Sequence, residues 1–188
     1  MTQQQTHTGQ TTAAEPLRLH LGGQVALPGW KIVDIQKRPE VDYVGSVTDL
    51  SAFADGTVSE VYASHVWEHL SHTGEVQKAA AEAFRVLRPG GELKVGVPDL
   101  DVICRLFLDQ RLTMSMRLHV LKYIYGGQID GYDYHKFGFN FPVLGQLLHE
   151  TGFVEITKLP SFGICNDCTE INFYGARISL NVRAKRPG

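Results

Sequence analysis

Only seven residues, Gly23 to Gly29, separate an apolar stretch ending in Leu21-Gly22 from a second one, Trp30 to Ile35, which carries Asp34 near its end. Leu17-Arg-Leu-His-Leu21 alternates apolar and polar residues as a half-buried strand does, and Lys31 to Ile35 reads as a strand too. The gap is too short for a crossover helix. What remains is a strand, a glycine turn and a second strand with a late carboxylate. That is the opening of a nucleoside-binding α/β sheet, in which the acid accepts hydrogen bonds from ribose hydroxyls. The helix that normally follows such a turn holds a pyrophosphate through its free N–H groups and its dipole. Without it, the chain offers a seat for a nucleoside and no cradle for a diphosphate.

A chain of 188 residues, 43% hydrophobic and 20% charged, has the make-up of a soluble globular protein with one sizeable core, and a single domain is expected over residues 16–188. The formal net charge is −2 and no Lys/Arg block exceeds two residues, so the electrostatic footprint of a nucleic-acid binder is absent. Residues 1–15 are rich in Gln and Thr and have no apolar core; a disordered tail is expected there, neither a signal peptide nor a membrane span. Three cysteines, Cys104, Cys165 and Cys168, cannot build a disulfide framework, and a reducing, cytoplasmic setting is expected.

Further strands are read at Asp42 to Val47 and Glu60 to Ser64. Glu75 to Leu87 sets Val76, Ala79, Ala80, Ala83, Phe84 and Leu87 on one helical stripe, stopped by Pro89-Gly90-Gly91, and Glu92 to Val97 follows as a strand. Strand, helix and strand from Glu60 to Val97 make a parallel unit. Leu100 to Leu108 and Thr113 to Tyr125 read as helices, the second ending at Gly126-Gly127, which suits a left-handed cap. Pro142 suits the first position of a helix from Val143 to Glu150 that stops before Gly152; strands are expected at Phe153 to Leu159 and Ala176 to Ala184. Arg18 and His20, like Glu92 and Lys94, alternate with apolar neighbours, so one face of the sheet is partly polar. Helices should cover mainly the other face, with the polar one closed by the Asp101 to Asn140 region or by a second copy in a homodimer.

Leu19-His-Leu-Gly-Gly23, Pro28-Gly-Trp-Lys-Ile-Val-Asp34, Val47-Thr-Asp-Leu50, Tyr62-Ala-Ser-His-Val-Trp-Glu-His-Leu70, Arg85-Val-Leu-Arg-Pro-Gly-Gly91 and Val97-Pro-Asp-Leu100 together resemble the class I S-adenosylmethionine-dependent methyltransferases. The nearest likeness is to a short, type-11-like subgroup often associated with cell-surface polysaccharide and lipopolysaccharide synthesis. The resemblance covers residues 17–100 well and the rest loosely. It agrees with the opening loop, because S-adenosylmethionine has a ribose and an adenine but no phosphate. It implies an α/β, Rossmann-like sheet, mostly parallel with an antiparallel last strand, whose first crossover helices are reduced or missing. It further implies that Gly22 and Gly23 let the backbone approach the methionine part of the cofactor, and that Asp34, followed by Ile35, holds the ribose. Asp49 and the amide of Leu50 would meet the adenine edge. Ser64 and His65, at the mouth of the fourth strand, would face the sulfonium. One position departs from the pattern: Gly-x-Gly is usual, and Gly22-Gly23-Gln24 stands here.

Methyl transfer from a sulfonium is an in-line displacement, so positioning supplies much of the rate and a base is needed only where the nucleophile must lose a proton. His65, His69 and His135 are the candidate bases, with Glu68 as an orienting partner and residues 101–140 as an insert or lid contributing to the acceptor site. A small or saccharide-like acceptor, methylated at oxygen, is expected; a catalytically silent cofactor-binding or assembly subunit is the alternative. His65-x-x-Glu68-His69 spells an inverted zinc-protease motif, but His65 falls where a strand ends and no third ligand stands out, so no metal is expected. Cys165-Asn-Asp-Cys168 lacks the second pair a zinc site needs and reads as a loop.

Overall fold

The computed structural model describes residues 16–188, so the tail expected over residues 1–15 lies outside the described residues. Strands β1 (Leu17–Leu21) and β2 (Lys31–Asp34) run parallel, Leu19 opposite Lys31 and Leu21 opposite Val33, with turns and no helix between them. β3 (Tyr43–Val44) and β4 (Val58–Ser64) follow, also without intervening helices. Helix α1 (Glu75–Val86) leads into β5 (Leu87–Pro98), then α2 (Leu100–Leu108), α3 (Met114–Tyr125), α4 (Phe141–Thr151) and β6 (Val154–Leu159). A hairpin of β7 (Asn172–Phe173) and β8 (Ala176–Arg177) precedes β9 (Ser179–Lys185). The sheet order is β3-β2-β1-β4-β5-β9-β6, with β9 antiparallel to both its neighbours. This is the Rossmann-like sheet expected, with its first crossover helices gone.

Some boundaries differ from the sequence reading. β3 is only two residues long. β5 begins at Leu87 instead of Glu92, because Pro89-Gly90-Gly91 stays in the sheet as an irregular stretch between the Val58–Leu87 and Glu60–Glu92 pairs. The last strand is broken at Ile178, its first residues turning back as a hairpin. Gly126 has positive φ but an extended ψ of 169°, so it ends α3 without the left-handed cap. By contrast, α4 starts as expected, with the Asn140 side chain accepting from Val143 N–H and Pro142 in the first turn, and ends on a left-handed Gly152.

The alternation read in the strands separates two faces. Leu19, Leu21, Val61, Ala63, Leu93, Val95, Val97, Leu180, Val182 and Ala184 are buried on one, with the stripe Val76, Ala79, Ala80, Ala83 and Val86 of α1 and with Leu144 and Leu148 of α4. The small side chains Ala79, Ala80 and Ala83 of α1 are buried against the sheet. The other face carries Arg18, His20, Glu60, Tyr62, Lys94 and Arg183. Here the expectation needs correcting. Residues 160–170, instead of the 101–140 region, close the aromatic half of this face: Phe162 meets Tyr62 edge-on at 5.6 Å, and Asp167 accepts the Tyr62 hydroxyl at 2.5 Å. The remaining half is left polar, with Lys94 bridging Glu60 and Glu92. Helices α2 and α3 form a second, smaller core with Ile178 and Phe173.

Candidate functional site

The turn after β1 owes its glycines to close packing. Gly22 has φ +70°, a left-handed conformation that side chains resist, and a Cβ there would lie 2.3 Å from Cγ2 of Val66. A Cβ on Gly23 would lie 2.6 Å from Nδ1 of His20, whose ring stacks on Tyr62 with centroids 4.8 Å apart. Gln24 is exposed and folds back on the turn, its amide donating to the Gly22 carbonyl at 3.3 Å.

Asp34 ends β2 beside this turn and is only 8% exposed. Its Oδ1 accepts from Gln36 N–H at 2.7 Å and its Oδ2 from the Arg38 guanidinium at 3.1 Å, while Arg38 also donates to the Gly23 carbonyl at 2.8 Å. The carboxylate is therefore locked in orientation against the glycine turn. With one donor on each oxygen it keeps room to accept further hydrogen bonds. Ile35, 49% exposed, offers an apolar surface next to it. Asp49 is exposed and takes Ser51 N–H at 3.1 Å, but the amide of Leu50 is spoken for: it donates to Glu82 Oε2 at 2.6 Å. That amide is not free to meet an adenine edge in this arrangement. The carboxylate and the glycine turn fit a ribose-bearing group without phosphates.

At the end of β4, Ser64 pairs with Gly96 of β5. His65 adopts φ +52°, rare for a side chain of its size, in the kind of outlier that clusters at functional sites. Its Nε2 lies 2.8 Å from Ser179 Oγ. The Ser179 hydroxyl donates to the Cys168 carbonyl at 2.8 Å, so it accepts from His65. Trp67 to His69 make one turn of 3-10 helix. Its Glu68 carbonyl accepts from Lys136 N–H at 2.8 Å and Phe137 N–H at 3.1 Å, and these two bonds pull the 135–137 segment onto β4's end. The result joins residues far apart in sequence: one donor atom each of Glu68, His69 and His135 lie within 4.8 Å of one another, and the His69 and His135 rings meet at 4.8 Å. Burial works against the Glu68 charge, yet the imidazoles of His65, His69 and His135 outweigh it and hold the carboxyl below its usual range. Burial lowers the pKa of His135, which favours its neutral form.

His135 also lines a cavity of about 230 Å³ with Pro98, Leu100, Ile103, Tyr123 and Phe137. The 126–135 segment reaches back over β2, where Gln36 donates to Asp130 Oδ2 at 3.1 Å. Cys165 and Cys168 are free; Cys165 sits in the loop, whereas Cys168 opens a turn of 3-10 helix, Cys168–Glu170, and the Cys165 thiol, donating to Asp167 at 3.2 Å, is pushed up to about 12 by burial and by that carboxylate.

Sequence reasoning missed Arg38 as the lock on Asp34, although an opposite charge four residues on was a visible signal. It also missed Glu82 and Ser179, which only the fold brings near.

Residues 31–95 match the family model described as a methyltransferase domain. An uncharacterized 37.1 kDa protein in transposon TN4556 of Streptomyces fradiae is 31% identical over 98 residues, which cover 52% of this chain and 26% of that protein; the match spans about a quarter of the relative's length. A solved S-adenosylmethionine-dependent methyltransferase of Thermotoga maritima, a possible histamine N-methyltransferase, aligns over 93% of this chain and 84% of its own at 19% identity and a TM-score of 0.58. The 1,6-didemethyltoxoflavin-N1-methyltransferase of Burkholderia thailandensis, solved with S-adenosylhomocysteine, aligns over 93% of this chain and 72% of its own at 15% identity and a TM-score of 0.55. Over residues 31–95 the chain is similar to that methyltransferase-domain family, and its sheet shares the Rossmann-like fold of the two solved methyltransferases.

Proposed function

We propose that the chain transfers the methyl group of S-adenosylmethionine to a hydroxyl of a small or saccharide-like acceptor, in the cytoplasm and in the service of surface polysaccharide synthesis. The observation that carries this reading is Asp34, an oriented carboxylate with spare acceptor capacity, set against a glycine turn that no helix follows. It suits a ribose joined to a linker without phosphates. In this reading Gly22, Gly23 and Ile35 flank the cofactor with Asp34, Asp49 meets its adenine, and Ser64 and His65 lie towards its sulfonium.

S-adenosylmethionine supplies the electrophilic methyl group when bound. The chain's own residues would position the acceptor and deal with its proton. The cavity beside His135 has aromatic walls in Tyr123 and Phe137, which suit the apolar face of a sugar ring, and its floor is the imidazole that burial keeps neutral and able to accept a proton. His65 and His69 lie beside the Glu68 carboxylate, His65 Nδ1 at 3.3 Å from it and the His69 ring against that of His135. Three free cysteines accord with a reducing compartment, and among the described residues no helix is long and apolar enough to cross a membrane.

Incubation with methyl-labelled cofactor and a panel of nucleotide-sugar and lipid-linked saccharide acceptors should label at least one of them at oxygen. If S-adenosylhomocysteine binds and nothing across the panel is labelled, the silent-subunit alternative replaces this reading.

A further inference from the structure

We propose that Glu68, His69 and His135 form a binding site for one divalent transition-metal ion. The three donor atoms already converge to within 4.8 Å, and a contraction of at most about 1.4 Å would bring them to the spacing of about 3.4 Å that tetrahedral Zn–N and Zn–O bonds of about 2.1 Å require. Two imidazoles with one carboxylate are the ligands of open zinc sites and of the facial triads that hold other divalent ions, with positions left for an exogenous ligand. Magnesium, which favours oxygen ligands, suits this set poorly.

Two independent observations point to a missing cation. Glu68 is 1% exposed, and neither of its carboxylate oxygens has a hydrogen-bond donor; the Nδ1 of His65, at 3.3 Å from Oε1, is near but not aligned to donate. A buried, unpartnered carboxylate is costly and calls for a counter-charge. The two imidazoles are also already set in the tautomer a metal needs. Nδ1 of His69 lies 3.2 Å from the Tyr134 carbonyl, and Nδ1 of His135 lies 3.1 Å from the Tyr123 carbonyl. A carbonyl only accepts, so both Nδ1 atoms carry a proton, which leaves Nε2 as the ring nitrogen free to ligate in each neutral imidazole. Ligating histidines are oriented in this way by bonds to backbone carbonyls. The inverted motif His65-x-x-Glu68-His69 thus acquires the third ligand that the sequence alone did not reveal, 66 positions beyond His69 in His135. His65 is bound to Ser179 and serves as a positioning residue beside the carboxylate.

The site stands at the carboxyl end of β4, next to the cavity given above to the acceptor. An ion there would occupy the His135 lone pair and so replace that imidazole as the group that deals with the acceptor's proton, by making the acceptor hydroxyl more acidic; that role rests on the methyl-transfer reading, whereas the binding itself does not. The test is therefore run without S-adenosylmethionine. Tag-free full-length protein, stripped with chelator and dialysed, is titrated with Co²⁺ and followed by its visible absorption, with Zn²⁺ as competitor. One equivalent should bind and be displaced by zinc, and Glu68→Gln, His69→Ala and His135→Ala should each weaken binding at least tenfold, while His149→Ala, a change on the exposed side of α4, leaves it unchanged. Circular dichroism confirms that each variant is folded; Glu68→Gln keeps the shape of the side chain and removes only its charge. Absence of a stoichiometric cobalt spectrum, or equal binding by the three ligand variants and the His149 variant, would overturn the proposal.

Discussion

Asp34→Ala should lower the affinity for S-adenosylmethionine at least about 100-fold, while His135→Ala should leave it within about twofold, both read by calorimetric titration. A carboxylate that accepts two ribose hydroxyls makes two charge-assisted bonds, each worth about 1.5–3 kcal/mol, and every 1.4 kcal/mol is a factor of ten in binding. His135 lines the acceptor cavity and is not among the groups bonded to Asp34, so it has no assigned part in holding the ribose. Because Asp34 also anchors Arg38, and Arg38 the carbonyl of Gly23, the alanine variant would in addition loosen the turn. Arg38→Ala separates the two effects: it releases the turn and keeps the Asp34 carboxylate, so the melting temperature should fall while affinity drops far less than in Asp34→Ala. Equal losses in the Asp34 and His135 variants would contradict the assigned roles.

Gly22→Ala should cost about 3 kcal/mol of stability. The left-handed backbone at this residue carries a penalty of about 1–2 kcal/mol for any Cβ, and the overlap with Val66, at 2.3 Å, adds an overpacking term of about 1–3 kcal/mol. For a protein of this size the melting temperature would drop by about 6–12 °C. Val66→Ala in the same chain removes the overlap but not the backbone strain, so the double variant should recover part of the loss and not all of it. This non-additivity measures how tightly the β1 turn is locked to the β4 turn. A Gly22→Ala protein that melts within 1 °C of the parent would show that the two turns do not interlock as described.

Short-range features were legible in the sequence because their signals are short-range. The strand, turn and strand of residues 17–34 follow from period-two alternation and the glycines; α1 follows from its stripe of small apolar side chains; the start and stop of α4 follow from Asn140, Pro142 and Gly152. The polar face of the sheet was visible in Arg18, His20, Glu92 and Lys94, but the segment that closes part of it was not. Phe162 and Asp167 lie in a stretch without periodicity, and their contact with Tyr62 spans about a hundred positions. The same reason hid the three-residue cluster. Glu68 and His69 are sequence neighbours, but only the bonds from the Lys136 and Phe137 amides to the Glu68 carbonyl bring His135 alongside them. Likewise the fate of the Leu50 amide was decided by Glu82 on α1, which no local pattern links to it.

Calorimetric titration of the protein with S-adenosylmethionine, S-adenosylhomocysteine and NAD bears most directly on the claim that the shortened β1–β2 connection selects a nucleoside without a diphosphate. The first two ligands should bind with a stoichiometry of one and NAD should give no heat of binding. Saturable binding of NAD in competition with S-adenosylhomocysteine, its pyrophosphate seated beside residues 22–24, would contradict it.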